Sequence, residues 1–225
     1  TATLTLPLGT EGHTLAYERC CRNVSISNVF DPSTQGAVYS AYIPPTNTYH
    51  NSSPTFNALP PLFVRVNSPL VFNYSATDPD GDVLLYHLCT PESGGDVNAP
   101  VPNPPAPPPF PDITWQSPYS LTNLLGGTPA LAIDSVTGVL TGTPNAQGQF
   151  VVGVCISEYR NGVLIGTYLR DYHFNVTLCN APFANIPSSN INPVTGIGTY
   201  TAKCKSYTIS FQNNSGPTNT ALEYQ

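Results

Sequence analysis

Two long runs of β-branched and aromatic residues meet at a single Asn-Gly pair in the C-terminal half of the chain. The runs cover residues 150–159 and 163–177, and Asn161-Gly162 lies between them. A type I′ turn needs a positive φ at both of its central residues, which Asn and Gly tolerate better than other residues, so this pair is a strong hairpin signal. The sequence therefore predicts a long antiparallel ribbon centred on Asn161-Gly162.

The rest of the chain also favours strands over helices. It holds 25 Pro and 17 Gly in 225 residues, which interrupt any helical pattern. A turn signal at residues 134–138 separates two further short apolar runs. The remaining strand candidates are residues 37–43, 62–66, 70–76, 83–88 and 206–211. The prediction is an all-β protein built from β-sandwich modules.

Charge and hydropathy exclude several classes of partner. The formal net charge is -6, with 7 Lys and Arg that form no basic cluster, which argues against binding to nucleic acid or to an anionic membrane. No apolar run reaches the roughly 18 residues of a membrane-spanning helix. The chain contains no Met, and its first ten residues lack a signal-peptide pattern. We therefore expect a mature exported chain or an excised fragment.

The cysteines indicate an oxidising compartment. No C-x-x-C or H-x-x-x-H spacing supports a zinc site, so we predict that the cysteines form disulfides. The six cysteines are Cys20, Cys21, Cys89, Cys155, Cys179 and Cys204. Neighbouring side chains on a strand point in opposite directions, so Cys20 and Cys21 are expected to bond to different partners. Those partners are predicted to be Cys89 and Cys155, which leaves Cys179 to pair with Cys204.

A proline-rich insert occupies residues 97–118. Proline lacks a backbone donor and prefers the polyproline II conformation, so this segment cannot join the interior of a sheet. One interpretation is a ligand for an SH3-like or WW-like groove. The other is a stiff surface loop between strands, which suits an extracellular protein better.

Several blocks resemble a known group of bacterial proteins. They are residues 75–82 (SATDPDGD), 131–134 with 137–144, 148–150, 17–23 (YERCCRN) and 155–162. Together they resemble the immunoglobulin-like and cadherin-like modules of gliding-motility-associated and PKD-containing surface proteins secreted by Bacteroidetes-type bacteria. The resemblance implies an extracellular location and a role as a spacer, adhesin or fibre subunit. It places an N-terminal β region at 13–61 and an Ig-like module at 62–178.

The C-terminal segment 179–225 has a resemblance of its own. Residues 204–215 and 222–225 are similar to the opening of a PKD domain, but an immunoglobulin-like sandwich takes about seven strands and 100 residues. We therefore expect an incomplete module whose apolar residues Tyr207, Ile209 and Phe211 accept a strand from elsewhere.

The N-terminal segment 1–12 is the predicted donor of that strand. Its apolar residues alternate with threonines and carry no charge before Glu11, which is the period-two pattern of a strand with one buried side. The donor residues are Ala2, Leu4, Leu6 and Leu8. A first strand paired within its own chain and a disordered terminus are the alternatives. The predicted function is a subunit of an extracellular filament that polymerises with itself by strand insertion. The runner-up is a stalk fragment of a large surface adhesin.

Asp78, Asp80 and Asp82 could bind calcium, because carboxylate oxygens are hard ligands. The glycine spacing does not match an EF-hand loop. The other interpretation, which we favour, is a tight turn in which Pro79 sets φ and Gly81 adopts a positive φ. No other cofactor is predicted.

Glycan attachment and glycan binding are two further hypotheses. Ser135 lies in a short Asp-Ser-Val signal that resembles O-glycosylation sites of Bacteroidetes-type secreted proteins, and surface glycans are a second class of partner. The Asn-x-Ser/Thr sequons are at Asn23, Asn51, Asn73, Asn175 and Asn213.

The sequence offers no catalytic constellation. Its four histidines lack metal-binding spacing. Asp171 and His173 alternate on one strand face and could form an Asp–His pair, but no nucleophile can be named to complete it. We predict a protein without enzymatic activity. A carbohydrate-active enzyme with two distant acids is the alternative of another class.

Overall fold

A computed structural model describes residues 5–7, 10–45, 49–61, 63–178, 190–191 and 198–199. The chain divides into two compact units, Thr1–Leu178 and Cys179–Gln225. In the second unit the described backbone is one antiparallel pair, β12 (Asn190–Ile191) with β13 (Gly198–Thr199). The predicted strand at 206–211 lies outside the described residues.

The first unit confirms the all-β prediction, and its described part contains no α-helix. One short 3-10 turn covers Pro32–Thr34. No helix among the described residues has the length and apolar character needed to cross a membrane. The strands are β1 (His13–Arg19), β2 (Ala37–Ile43), β3 (Thr55–Phe56), β4 (Phe63–Arg65), β5 (Leu70–Asn73), β6 (Ala76–Thr77), β7 (Val83–Cys89), β8 (Ala132–Ile133), β9 (Val139–Gly142), β10 (Gly148–Arg160) and β11 (Val163–Thr177).

The predicted hairpin is confirmed as the longest pairing in the molecule. β10 and β11 run antiparallel from the Gly148–Val176 pair to the Arg160–Val163 pair. Asn161 and Gly162 join them with φ values of 52° and 79°, the positive values expected of a type I′ turn.

Two main sheets pack on each other, as in the β-sandwich class. One has the strand order β4-β11-β10-β7 and the other the order β5-β9-β8. β4 runs parallel to β11 and pairs with it only at residues 175–177. The two sheets share one core of buried apolar residues, which includes Leu70 and Leu140 from one sheet, Tyr74 just after β5, and Phe150, Ile156 and Phe174 from the other sheet.

β10 is buried on both of its faces. Its even-numbered residues, such as Val152 and Val154, face the main core. Val151 points the opposite way, into a smaller cluster with Ile26, Val29 and Ile113. This explains why residues 150–156 are almost continuously apolar, since a strand covered on both sides has no polar face.

The proline-rich insert forms an irregular surface loop, as predicted. Its prolines are mostly exposed, but Phe110 and Ile113 are buried and anchor it. Trp115, the single tryptophan, packs against both apolar clusters. The loop is also held by a hydrogen bond of 2.8 Å from the Cys20 N–H to the Pro100 carbonyl.

The predicted cysteine pairing is wrong. Cys89 bonds to Cys155, and Cys20 bonds to its neighbour Cys21. Cys89 and Cys155 lie on the adjacent strands β7 and β10 with Cα atoms 5.8 Å apart, a normal disulfide spacing. The rule that neighbouring side chains diverge holds only within a strand, and β1 ends at Arg19. The bonding of Cys179 and Cys204 lies outside the described residues.

Candidate strand-accepting groove

The two edges of β11 are paired very differently. One edge bonds to β10 along nearly its whole length. The other bonds to β4 at residues 175–177, and no strand in the described part of the chain pairs with it over residues 163–174. We call this stretch the open edge of β11.

The side chain of Asn28 reveals which main-chain groups point to the open edge. It bonds both main-chain groups of Val151, accepting from the N–H at 2.9 Å and donating to the carbonyl at 2.8 Å. Val151 therefore directs its N–H and C=O groups away from β11. Residues that are opposite each other in an antiparallel pair behave alike, so His173 directs its N–H and C=O groups away from β10 and to the open edge. Because main-chain direction alternates along a strand, Leu169 and Thr167 also direct their N–H and C=O groups to the open edge.

An apolar ribbon lies next to this edge. β1 and β2 form a two-stranded antiparallel sheet in which Tyr17 is opposite Tyr39 and Leu15 is opposite Ala41. Leu15, Tyr17 and Tyr39 are 58%, 52% and 56% exposed. The rings of the two tyrosines lie 6.4 Å apart between centroids. Large apolar side chains clustered at the surface are typical of a binding site.

A groove separates the ribbon from β11. Its larger part has a volume of about 640 Å³ and is lined by residues 15–17, 39–41 and 169–172. Its smaller part has about 310 Å³ and is lined by Tyr42 and residues 164–167. The β11 residues that line these two cavities, which we together call the β11 groove, lie between 164 and 172. Such a length of strand spans about 30 Å.

The main charges behind the groove are neutralised by each other. The Arg22 guanidinium donates to the Asp171 carboxylate at 2.7 Å, and the two side chains are only 4% and 11% exposed. Arg22 also donates to the carbonyls of Gly36 at 2.8 Å and Glu92 at 3.1 Å. Burial and the nearby Asp171 raise the pKa of Tyr39, so its hydroxyl stays neutral. A strand without charged side chains that entered the groove would therefore not lie against an unpaired charge from Arg22 or Asp171.

Asp171 pairs with Arg22 in the structure, whereas the sequence analysis considered His173 as its partner. Its carboxylate accepts a hydrogen bond of 2.7 Å from the Arg22 guanidinium. Arg170, which also lines the groove, places its guanidinium 3.9 Å from the centroid of the Phe56 ring. Stacking on an aromatic face is a common role for arginine.

The predicted donor and acceptor residues are mostly outside the described part. Of the donor residues only Leu6 is described, and it is half-buried. Ala2, Leu4 and Leu8 lie outside the described residues, as do the predicted acceptors Tyr207, Ile209 and Phe211.

The Asp78–Asp82 segment forms the predicted turn between β6 and β7. Gly81 has a φ of 82°, and one carboxylate oxygen of Asp78 accepts the N–H groups of Asp80 at 2.9 Å and Asp82 at 3.0 Å. The three carboxyl groups each place an oxygen within 4.8 Å of the others. Hydrogen bonds from Arg160 lower the pKa of Asp82, although burial of Asp82 opposes this.

The predicted glycosylation sites differ in their surroundings. Ser135, Asn23 and Asn73 are exposed, and Asn213 lies outside the described residues. Asn51 uses its amide nitrogen to donate to Glu158 at 2.9 Å, so a glycan on that nitrogen would displace this bond. The Asn175 side-chain oxygen accepts a hydrogen bond of 2.8 Å from Gln149.

Three parts of these sites were not predicted from the sequence. β1 was not among the predicted strands, although Leu15 and Tyr17 alternate with less apolar residues. Arg22 was noted only within the YERCCRN block, and Glu158 only beside the hairpin turn. No local pattern marks either residue, because each acquires its role from partners distant in the sequence.

A scan of protein-family models finds no family that matches the chain, and a search of curated proteins finds no match either.

Proposed function

We propose that this chain is a structural subunit of an extracellular filament, in which residues 1–8 of one copy insert as a strand into another copy. The β11 groove is the proposed acceptor, and its open edge next to an apolar ribbon is the observation that carries the proposal. Segment 179–225 is a second candidate acceptor, supported by its resemblance to the opening of a PKD domain. The proposed architecture of the first unit is immunoglobulin-like.

The length and polarity of the donor segment match the groove. Eight extended residues span about 27 Å, close to the roughly 30 Å of the open edge. The segment carries no charged side chain. Its leucines at positions 4, 6 and 8 lie on one face of a strand, where they can contact Leu15, Tyr17 and Tyr39. Burying three leucines gives about 5–9 kcal/mol before the cost of ordering the segment.

Main-chain bonding supplies the second part of the argument. An unpaired strand edge is a template for another strand, and strand addition uses its N–H and C=O groups for affinity and side-chain pockets for specificity. The main-chain groups of Thr167, Leu169 and His173 are available for such bonds. The disulfide between Cys89 and Cys155 suits an oxidising, extracellular setting.

Removal of the donor segment tests the proposal. Deletion of residues 1–8 should leave folded monomers. Light scattering and electron microscopy of the purified variant, compared with the unmodified protein, measure this. A sharper variant is Leu4→Ser with Leu6→Ser, which removes the apolar face and should also give monomers. The matched control is Thr3→Ser with Thr5→Ser, which changes the opposite face and should keep polymers. Polymers that persist after the deletion would contradict strand donation by this segment.

The alternative function is a stalk fragment of a large surface adhesin, which the sequence resemblance supports. The intact mass of the native protein separates the two. A filament subunit should have a mass near 24.0 kDa plus any glycan. A much larger native chain would favour the adhesin.

A further inference from the structure

The two described disulfides constrain the chain to very different degrees. Cys89–Cys155 joins β7 to β10 across 66 positions of the sequence. Cys20–Cys21 joins two neighbours in the sequence. In the chain-entropy account, a disulfide stabilises a protein by restricting its unfolded chain, and the effect grows with the length of the loop that the bond closes. A bond between neighbours closes almost no loop, so stability does not explain Cys20–Cys21.

The neighbouring pair is accessible from solution on one side. Cys21 is exposed, whereas only 6% of the Cys20 surface is exposed. A disulfide breaks when a thiolate attacks one of its sulfur atoms, and exposed disulfides are the labile ones. A thiolate from solution therefore reaches this bond at the Cys21 sulfur, and the Cys20 sulfur is the leaving group.

The backbone on both sides of the pair is held by contacts that do not need the disulfide. The Cys20 N–H donates to the Pro100 carbonyl at 2.8 Å. The Arg22 N–H donates to the Gln35 carbonyl at 2.9 Å, and the Arg22 guanidinium donates to the Gly36 carbonyl at 2.8 Å. Because these hydrogen bonds remain when the disulfide opens, we expect the segment to stay in place and the fold to be retained.

We propose that Cys20–Cys21 is a reversible exchange site for low-molecular-weight thiols. The incoming thiolate attacks Sγ of Cys21 and forms a mixed disulfide with it. The Cys20–Cys21 bond breaks in the same step, and Sγ of Cys20 leaves as a thiolate that takes a proton from water. In the reverse reaction the Cys20 thiolate attacks the mixed disulfide, expels the original thiolate and closes the pair. Each step exchanges one disulfide for another, so no oxidant or reductant is needed.

Exchange with glutathione on the full, unmodified chain tests this site. The protein is treated with reduced glutathione, free thiols are trapped with iodoacetamide, and the digest is mapped by mass spectrometry. Trypsin cleaves after Arg19 and Arg22, so both cysteines of the pair are released in one peptide. That peptide should carry one glutathione on Cys21 and one alkyl group on Cys20. It should react at least about tenfold faster than Cys89–Cys155, which lies between two paired strands.

An untreated digest is the control, because there the peptide should have the mass of the closed pair. The proposal would be overturned if Cys20 or Cys21 were bonded to another cysteine in that digest. It would also be overturned if no glutathione were added, if glutathione were found on Cys20, or if Cys89–Cys155 opened as fast.

Paired variants separate exchange from stability. Cys20→Ala with Cys21→Ala should lower the Tm by no more than about 3 °C, because little constraint on the unfolded chain is lost. The matched control, Cys89→Ala with Cys155→Ala, should lower the Tm by about 5–15 °C. An equal fall in Tm for both paired variants would give Cys20–Cys21 a structural role and contradict the proposal.

Discussion

The two edges of β11 differ although they belong to one continuous strand. Toward β10, the strand is paired along nearly its whole length, and its core-facing side chains, such as Phe174 and Val176, are buried. Toward the β1–β2 ribbon, it keeps an unpaired backbone and lines a groove with exposed tyrosines. The paired edge holds the fold together, whereas the open edge leaves bonding capacity for another chain. Stability and assembly can therefore be altered separately within one strand.

Proline substitutions give the largest expected contrast between the edges. Arg170→Pro removes an N–H that points to β10, so we expect a loss of about 3 kcal/mol or more in unfolding free energy. Thr167→Pro removes an N–H that points to the open edge, where proline is tolerated, so the fold should persist. The same variant should block strand addition and give monomers. Urea unfolding and light scattering measure the two effects.

Reversed results would contradict the proposed difference between the two edges. If Thr167→Pro unfolds the protein while Arg170→Pro does not, the assignment of main-chain directions along β11 is wrong. If Thr167→Pro folds and still polymerises, the strand is accepted elsewhere, and segment 179–225 becomes the acceptor to test.

The ion pair behind the groove should give an intermediate effect. Asp171→Asn leaves Arg22 charged and buried with only carbonyl partners, which should lower the unfolding free energy by about 2 kcal/mol. Replacing both residues, as in Arg22→Met with Asp171→Leu, should recover much of that loss because no charge is then left unpaired. A double-mutant cycle in urea measures the coupling. Additive losses would show that the pair does not act as a unit.

The smallest effect concerns Glu92, in the segment that anchors Arg22. Burial, and then the charge of Asp112 opposite it, raise the pKa of Glu92 above its usual 4.5. The unfolded chain therefore releases this proton first, so stability falls as the pH rises from about 4.5 through the folded-state pKa. Glu92→Gln should raise the Tm slightly at pH 7 and leave it nearly unchanged at pH 4. An equal change at both pH values would point to packing instead of ionisation.

Local patterns predicted a large part of the fold. The hairpin at Asn161-Gly162 and the turn at 78–82 depend on the backbone preferences of a few adjacent residues, and both are confirmed. β2 and β11 have the predicted bounds, because their runs are long and rich in β-branched and aromatic residues. β1 was missed since its alternation includes His13, Glu18 and Arg19, which weaken an apolar pattern.

The predictions that failed or were missed depend on distant partners. Cys20 and Cys21 were assigned by a rule for strands, but they follow β1, and Cys89 and Cys155 are brought together by the β7–β10 register. In the sequence, nothing distinguishes Glu158 from other polar residues beside a hairpin turn. Its burial arises because the segment around Asn51 and the turn at 78–82 cover it.

The β class, the hairpin and the turns follow from the amino-acid sequence alone, because φ/ψ preferences and period-two alternation act over a few residues. The sequence also determined the uncharged alternation of the N-terminal segment, which is the basis of the proposed filament. Which edge of β11 stays open, and which carboxylates lie close together, depends on the packing of distant segments. Strand pairing, burial and charge proximity join residues more than 100 positions apart, such as Arg22 with Asp171 and Asn51 with Glu158, and no local pattern encodes those distances.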